Sequence, residues 1–277
     1  MEILINGEPT ELISVRDRGL QYGDGCFETI RLHRKIPLLL PLHLDRLKNT
    51  CRALNISVDF EVLLRELHLL LAECPASGVI KILITRGAGD RGYRPNDQAN
   101  AVRIIQYFSM PSGNEAKTEQ GIVVTVCQHR LSENRITAGL KHLNRLDQVL
   151  ASRELSSIFD EGLCQDQGGN LIEATRSNVL LVANGVLISP KLDKAGVEGI
   201  MLSYLQQRFS ESGKAVHRRE VSLTELTHAS ELFLCNSVFG VWPVIKMVEN
   251  DTVLHWSVGP LARQAIQFHN EVLNTPN

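Results

Sequence analysis

One lysine in this 277-residue chain stands where its amine could be put to work. Lys141 lies in GLKHLNRLDQ (139–148), after a strand-like run at 122–127 and a polar loop at 132–137. The apolar positions Leu143, Leu146, Val149, Leu150 and Ile158 follow helical spacing. They predict a packed helix opening directly behind Lys141, which would hold its backbone firmly. A lysine becomes nucleophilic when partial burial lowers its pKa and frees the lone pair. For any one of the nine lysines a solvated surface position is the ordinary state, so Lys141 gains interest from its company. Glu173, 32 residues further on, ends a strand that returns through EATRSN. A carboxylate there could keep a ring nitrogen protonated and make that ring an electron sink. Gly196-Val197-Glu198-Gly199-Ile200 puts backbone N–H groups at a helix start, which suits phosphate. Asn236-Ser237 follows a buried strand and supplies small donors, although turn chemistry explains such a pair equally well. Arg46, on the first long helix, adds a cation.

The elements that must position these groups can be read along the chain. Residues 3–5 form a strand, Asn6-Gly7 a hairpin turn and 12–15 a return strand. RDRGLQYGDG is a glycine-bearing loop that releases a strand at 26–32, and Arg34-Lys35 turns the chain back through 36–40. A helix begins at Pro41 with Leu44, Leu47, Cys51 and Leu54 on one face. A second helix spans 59–72 with Asp59 as its cap. Strands follow at 78–85 and 101–109. The loop between them, RGAGDRGYRPNDQAN, contains GxGxxG at Gly87, Gly89 and Gly92. A dinucleotide site needs a helix to start there. Tyr93-Arg94-Pro95 argues against one, so an arginine-rich loop over a pocket is the better reading. Residues 111–121 read as a linker. Past Lys141 the pattern turns β: strands at 162–165, 171–174, 179–183 and 186–189, with Asn184-Gly185 as a hairpin turn. A helix runs from 198 to 211 and a strand from 215 to 221. Ser222 to Glu225 forms a capping box, a buried strand follows at 232–235, and Ser257 caps a last helix. The mixture is α/β or α+β with a β-rich second half.

Composition narrows the function classes. A net charge of −2 gives no reason to expect nucleic acid or a membrane as partner. Six cysteines are never closer than 23 residues, and neither they nor the histidines show metal-ligand spacing. Reduced thiols, no metal and a cytoplasmic protein are therefore expected. The opening MEILINGEP lacks the basic and apolar regions of a signal peptide, and no apolar run approaches the ~18 residues of a membrane helix.

Taken in order, DRGLQYGDGCFETIRL, HLDRL, RGAGDRGY, GLKHLNRLDQVL, EATRSN and GVEGIM resemble the fold-type IV pyridoxal-phosphate enzymes. That group holds branched-chain and D-amino-acid aminotransferases and aminodeoxychorismate lyases. The resemblance covers residues 5–243. It implies a smaller N-terminal α/β domain (1–110), a linker (111–121) and a β-rich cofactor-binding domain (122–277), with pyridoxal 5'-phosphate in the cleft of a homodimer. On the same grounds Lys141 would carry the cofactor and Glu173 would face its pyridine nitrogen. Arg46, Gly199, Ile200, Asn236 and Ser237 would hold the phosphate, with Ser177 and Asn178 shaping the wall. Tyr22, Thr29, Arg86, Arg91 and Tyr93 would lie toward the substrate. One departure is Leu180, where the family commonly has Phe, at a position expected in the core.

KHLNRL with RGAGDRGY is similar to the lyase branch. It implies conversion of 4-amino-4-deoxychorismate to 4-aminobenzoate and pyruvate, a step toward folate. The alternative is an aminotransferase of the same fold acting on D- or branched-chain amino acids, which would share every cofactor residue.

Overall fold

The computed structural model describes residues 2–96 and 100–274. Residues 1, 97–99 and 275–277, which include part of the expected 86–100 loop and both ends of the expected domains, lie outside the described residues. The chain groups into two compact units. One runs to Met110 and also takes Lys141–Asn144; the other takes Pro111–Leu140 and the chain from Arg145 onward.

The first unit contains β1 (Ile3–Ile5), α1 (Arg18–Tyr22), β2 (Gly25–His33), β3 (Ile36–Pro37), α2 (Leu40–Ala53), α3 (Phe60–Glu73), β4 (Gly78–Thr85) and β5 (Val102–Phe108). Its antiparallel sheet has the order β1-β5-β4-β2-β3. Asn6 and Gly7 both take positive φ, as a tight hairpin turn requires. The expected return strand at 12–15 does not form. Pro9 cannot donate to a ladder, and Leu12 and Val15 are exposed. The strand expected at 36–40 is only Ile36–Pro37, because Leu39 turns into α2 with φ 54°. Asp59 caps α3 by accepting from the N–H groups of Glu61 and Val62.

Strand alternation decides what β2 presents to each side. Cys26, Glu28, Ile30 and Leu32 are buried, and all but Glu28 join Leu47, Cys51, Leu63, Leu67, Leu70, Ile80, Ile82 and Ile84 in the core. Phe27, Thr29 and Arg31 are half-buried on the opposite face. α2 buries Leu47 and Cys51 of the expected face and adds His43 and Thr50, while Leu44 and Leu54 are half-buried. The slight rotation brings polar groups to the buried Glu28 carboxylate, which a purely aliphatic face would have left unpaired.

The second unit contains α4 (Asn114–Gln120), β6 (Ile122–Arg130), α5 (Leu146–Arg153), β7 (Glu161–Gln165), β8 (Leu171–Ala174), β9 (Asn178–Ala183), β10 (Val186–Pro190), α6 (Ile200–Glu211) and β11 (Val216–Arg219). A 3₁₀ turn at Leu223–His228 leads to β12 (Ala229–Asn236), β13 (Gly240–Glu249), β14 (Thr252–His255) and α7 (Pro260–Asn274). α4 thus lies inside the stretch read as a linker. The sheet runs β11-β10-β9-β12-β13-β6-β7-β8, with β14 added to β13. It is mixed: β10/β11, β13/β6 and β6/β7 are parallel. Consecutive residues of β9 and β12, including Leu180 and Phe233, are fully buried, so these strands are covered on both faces. The capping box at Ser222 and Glu225 forms, while α7 starts three residues past the expected Ser257 cap.

The helix expected behind Lys141 is shorter and later than its periodicity suggests. α5 starts at Leu146, and Leu146, Val149 and Ile158 are all more than half exposed. Leu143, which began the apparent stripe, belongs to the first unit instead.

Candidate active site

Lys141 is held by a strand edge, not by a helix. The Phe27 N–H donates to the Lys141 carbonyl at 3.0 Å, and the Leu143 N–H donates to the Gly25 carbonyl at 2.9 Å. The short segment thereby runs antiparallel to the start of β2. A Cβ at Gly25 would lie 2.7 Å from Leu143 Cδ1 and 2.3 Å from the Ile84 carbonyl, so only glycine admits this approach. The lysine Nζ lies 4.3 Å from the Phe27 ring centroid, on the half-buried face that also carries Thr29.

Behind that face Arg46 donates from Nε to Glu28 Oε1 at 2.8 Å and from Nη2 to Oε2 at 2.6 Å. His43 Nδ1 meets Oε2 at 2.6 Å. Burial alone would raise the Glu28 carboxyl, but Arg46 and His43 outweigh it and hold the group down to about 2. Burial pushes His43 below its ordinary value; Glu28 opposes this, while Arg46 and Lys141 reinforce it. Arg46 is therefore a pinned cation, 12% exposed, with much of its charge answered by Glu28.

The loop residues divide into two kinds. Tyr22 accepts from the Gly92 N–H at 3.3 Å and meets Tyr93 edge-on at 5.6 Å. Arg18 donates to the carbonyls of Gly92 and Tyr93 at 2.8 and 2.7 Å. Arg91 and Tyr93 are exposed. Arg86 differs, because all three of its guanidinium nitrogens are engaged: with Asp24, and with the carbonyls of Leu54 and Asn55 at 2.7 Å each. It is a buttress for the end of α2. No helix begins among the described residues of this loop, in keeping with rejection of the dinucleotide motif.

In the second unit Glu173, 4% exposed on β8, accepts from Gln148 Nε2 at 3.1 Å and from the Val197 N–H at 2.8 Å. Arg145 lies within its electrostatic reach. Asn178 donates to the Val197 carbonyl at 2.9 Å, and Gly199 forms the N-cap of α6 with no side-chain cap bond. The first-turn N–H groups of α6, beginning at Ile200, thus receive no help from a capping side chain and suit an anion. Ser177 donates to the fully buried Glu161, which also takes the Thr175 hydroxyl. Asn236 is spent on its turn: it accepts from the N–H groups of Val238 and Phe239 and donates to the Arg176 carbonyl. Ser237, the next residue in that turn, is half-buried. Among the described residues no cluster could hold a metal ion, and no helix is long and apolar enough to cross a membrane.

Glu28, His43, Phe27, Arg18 and Gln148 were not singled out from sequence. Glu28 carries a signal: it shares strand parity with Cys26, Ile30 and Leu32, and a carboxylate on a core face demands a partner.

The model of the amino-transferase class IV family matches residues 25–247. The chain is 32% identical over 262 residues to an aminodeoxychorismate lyase of Vibrio harveyi, covering 94% of this chain and 96% of that one. The crystal structure of 4-amino-4-deoxychorismate lyase from Pseudomonas aeruginosa superposes with a TM-score of 0.93 at 42% identity, covering 99% of this chain and 100% of that chain. A branched-chain amino acid aminotransferase of Escherichia coli shares the fold, with a TM-score of 0.83 at 24% identity and coverage of 96% and 92%. The two-sheet α/β architecture and the full-length match agree: the chain belongs to the class IV aminotransferase family.

Proposed function

We propose that this protein is a pyridoxal-phosphate-dependent lyase that converts 4-amino-4-deoxychorismate to 4-aminobenzoate and pyruvate, a step toward folate. One observation carries the reading: the 42% identity to the Pseudomonas aeruginosa lyase over essentially the whole of both chains.

The residues present fit the cofactor. Lys141 offers an amine on a half-buried face, Glu173 a buried carboxylate held by two donors, and α6 a glycine-capped N-terminus for a phosphate. Pyridoxal phosphate, when bound, supplies an aldehyde for amines and a protonated ring that takes up the electron pair left by C–H cleavage. Lys141 would hold that aldehyde, and its amine, when not so engaged, would be the base that removes the proton from the substrate carbon bearing nitrogen. Glu173 would sit against the pyridine nitrogen and keep it protonated. Gly199 and Ile200 would offer backbone N–H groups to the phosphate, with Arg46 as the fixed cation and Ser237 as a further hydroxyl. Ser177 and Asn178 hold the neighbouring wall. Loss of the enolpyruvyl group as pyruvate leaves an aromatic ring, which supplies the driving force. Tyr22, Thr29, Arg91 and Tyr93 face the substrate, whereas Arg86 serves the loop that presents them.

A homodimer in the cytoplasm completes the reading. In its favour, Ile136, Leu146, Val149 and Ile158 in the second unit, and Leu12, Val15 and Leu20 in the first, are large apolar side chains left exposed. All six cysteines are buried free thiols.

The test is to supply aminodeoxychorismate and, separately, pairs of amino donor and keto acid. Release of 4-aminobenzoate with equimolar pyruvate supports the lyase. Amino exchange without release supports the aminotransferase that the E. coli fold likeness keeps in view.

A further inference from the structure

Glu173 is held from both of its oxygens. Gln148 Nε2 donates to Oε1 at 3.1 Å, and the Val197 N–H donates to Oε2 at 2.8 Å. A carboxylate with a single donor can turn about its last bond, whereas a donor on each oxygen sets its plane. The Val197 peptide is itself fixed, since its carbonyl accepts from Asn178 Nδ2 at 2.9 Å. Gln148 is placed with equal firmness. α5 buries only Ala151, so packing does little to position it. Polar ties to β6 and the loop behind it do that instead. Asp147 accepts from the Ser132 N–H at 3.1 Å and meets His129 Nε2 at 2.8 Å. Glu154 accepts from the N–H groups of Gln128 and His129 at 2.6 and 2.9 Å. β6 pairs with β7, and β7 with β8, where Cys164 stands opposite Glu173. Gln148 therefore reaches Glu173 across a rigid frame. Beside a carboxylate that only accepts, its amide must turn the nitrogen inward. Among the described residues its side chain makes no other hydrogen bond.

We propose that Gln148 is a positioning residue that aims the Glu173 carboxylate at the pyridine nitrogen of the cofactor. This rests on the reading of Glu173 as the partner of that nitrogen, and it adds the group that orients it. A neutral amide suits the task, because it fixes the carboxylate in place and leaves its negative charge for the ring. Val197 supplies the second fixed point from the segment that leads into α6.

The experiment titrates two cofactors into the unaltered protein, Gln148→Met and Gln148→Asn. One is pyridoxal phosphate; the other is its analogue with carbon in place of the ring nitrogen. Met keeps the bulk and loses the donor, while Asn keeps the amide on an arm too short to reach. Either variant suffices if the other does not fold. The ratio of the two affinities within one protein cancels any general loss of stability. The unaltered protein binds pyridoxal phosphate at least about tenfold tighter than the analogue. Each variant cuts that ratio at least about fivefold, through weaker binding of pyridoxal phosphate alone. An unchanged ratio in the variants overturns the proposal, whether both affinities hold or both fall together; the latter marks Gln148 as a support for the fold only. A ratio near one in the unaltered protein is a different failure. Glu173 is then no partner of the ring nitrogen, and the proposal falls with that reading. Because the ratio does not depend on the substrate, failure to release 4-aminobenzoate sinks the lyase reading and leaves this test standing.

Discussion

Lys141 and Phe27 hold each other twice: the lysine carbonyl accepts the Phe27 N–H at 3.0 Å, and the lysine Nζ stands 4.3 Å over the Phe27 ring. The backbone contact fixes where the lysine starts, and the ring sets the floor on which its ammonium rests. A cation over an aromatic face gains about 0.5–2 kcal/mol. Phe27→Leu keeps bulk but removes the ring face. It should lower kcat by up to about 30-fold while the melting temperature changes little. Steady-state kinetics beside a thermal melt will check this.

The Glu28 carboxyl predicts an acid transition. Its folded value of about 2 lies below the ordinary 4.5. The stabilisation from its pairing with Arg46 and His43 is therefore complete above about pH 4.5 and is lost as pH falls toward 2. His43, also held below its ordinary 6.5, loses stability in the same direction as pH drops. Glu28→Gln should flatten the pH dependence of the urea midpoint between 4.5 and 2. At pH 7 it should cost about 3–5 kcal/mol, because the buried pairing of Glu28 with Arg46 is broken from one side.

Gly199 cannot accept a side chain. A Cβ there would lie 1.9 Å from Asn178 Oδ1. Gly199→Ala should displace Asn178 from the Val197 carbonyl and disturb the start of α6. We expect a loss of about 1–3 kcal/mol in stability. Affinity for pyridoxal phosphate should fall as well, by about tenfold if one phosphate contact is lost. Equilibrium titration of the cofactor with denaturant melts separates the two effects.

Arg86 was expected from sequence to reach the substrate, and its bonds predict another phenotype. It clamps Asp24 and two carbonyls beyond α2. Arg86→Ala should destabilise the fold by about 2–4 kcal/mol. A rise in KM with stability unchanged would show that the guanidinium is released toward the substrate during turnover.

These cases show where the sequence was legible. Strands 78–85 and 171–174, the Asn184-Gly185 turn and the Asp59 cap depend on neighbours in sequence, and they were read directly. The family motifs singled out Lys141 and Glu173 because their types and order suit cofactor chemistry. What escaped depended on distant partners. Leu143 completed an apparent helical stripe but is claimed by the edge of β2. Arg86 sits in a glycine-rich loop like a ligand binder, yet Asp24 lies 62 positions away and consumes it. Asn236 has an amide nitrogen that could serve phosphate, and the Arg176 carbonyl, 60 positions away, takes it.

The most direct test of the central claim is turnover by Lys141→Ala, loaded with pyridoxal phosphate and checked for folding by circular dichroism. The account predicts that the unaltered protein releases 4-aminobenzoate and pyruvate in equal amounts, and that the variant binds cofactor but releases neither. Release of both products by the variant at a rate near that of the unaltered protein would contradict it.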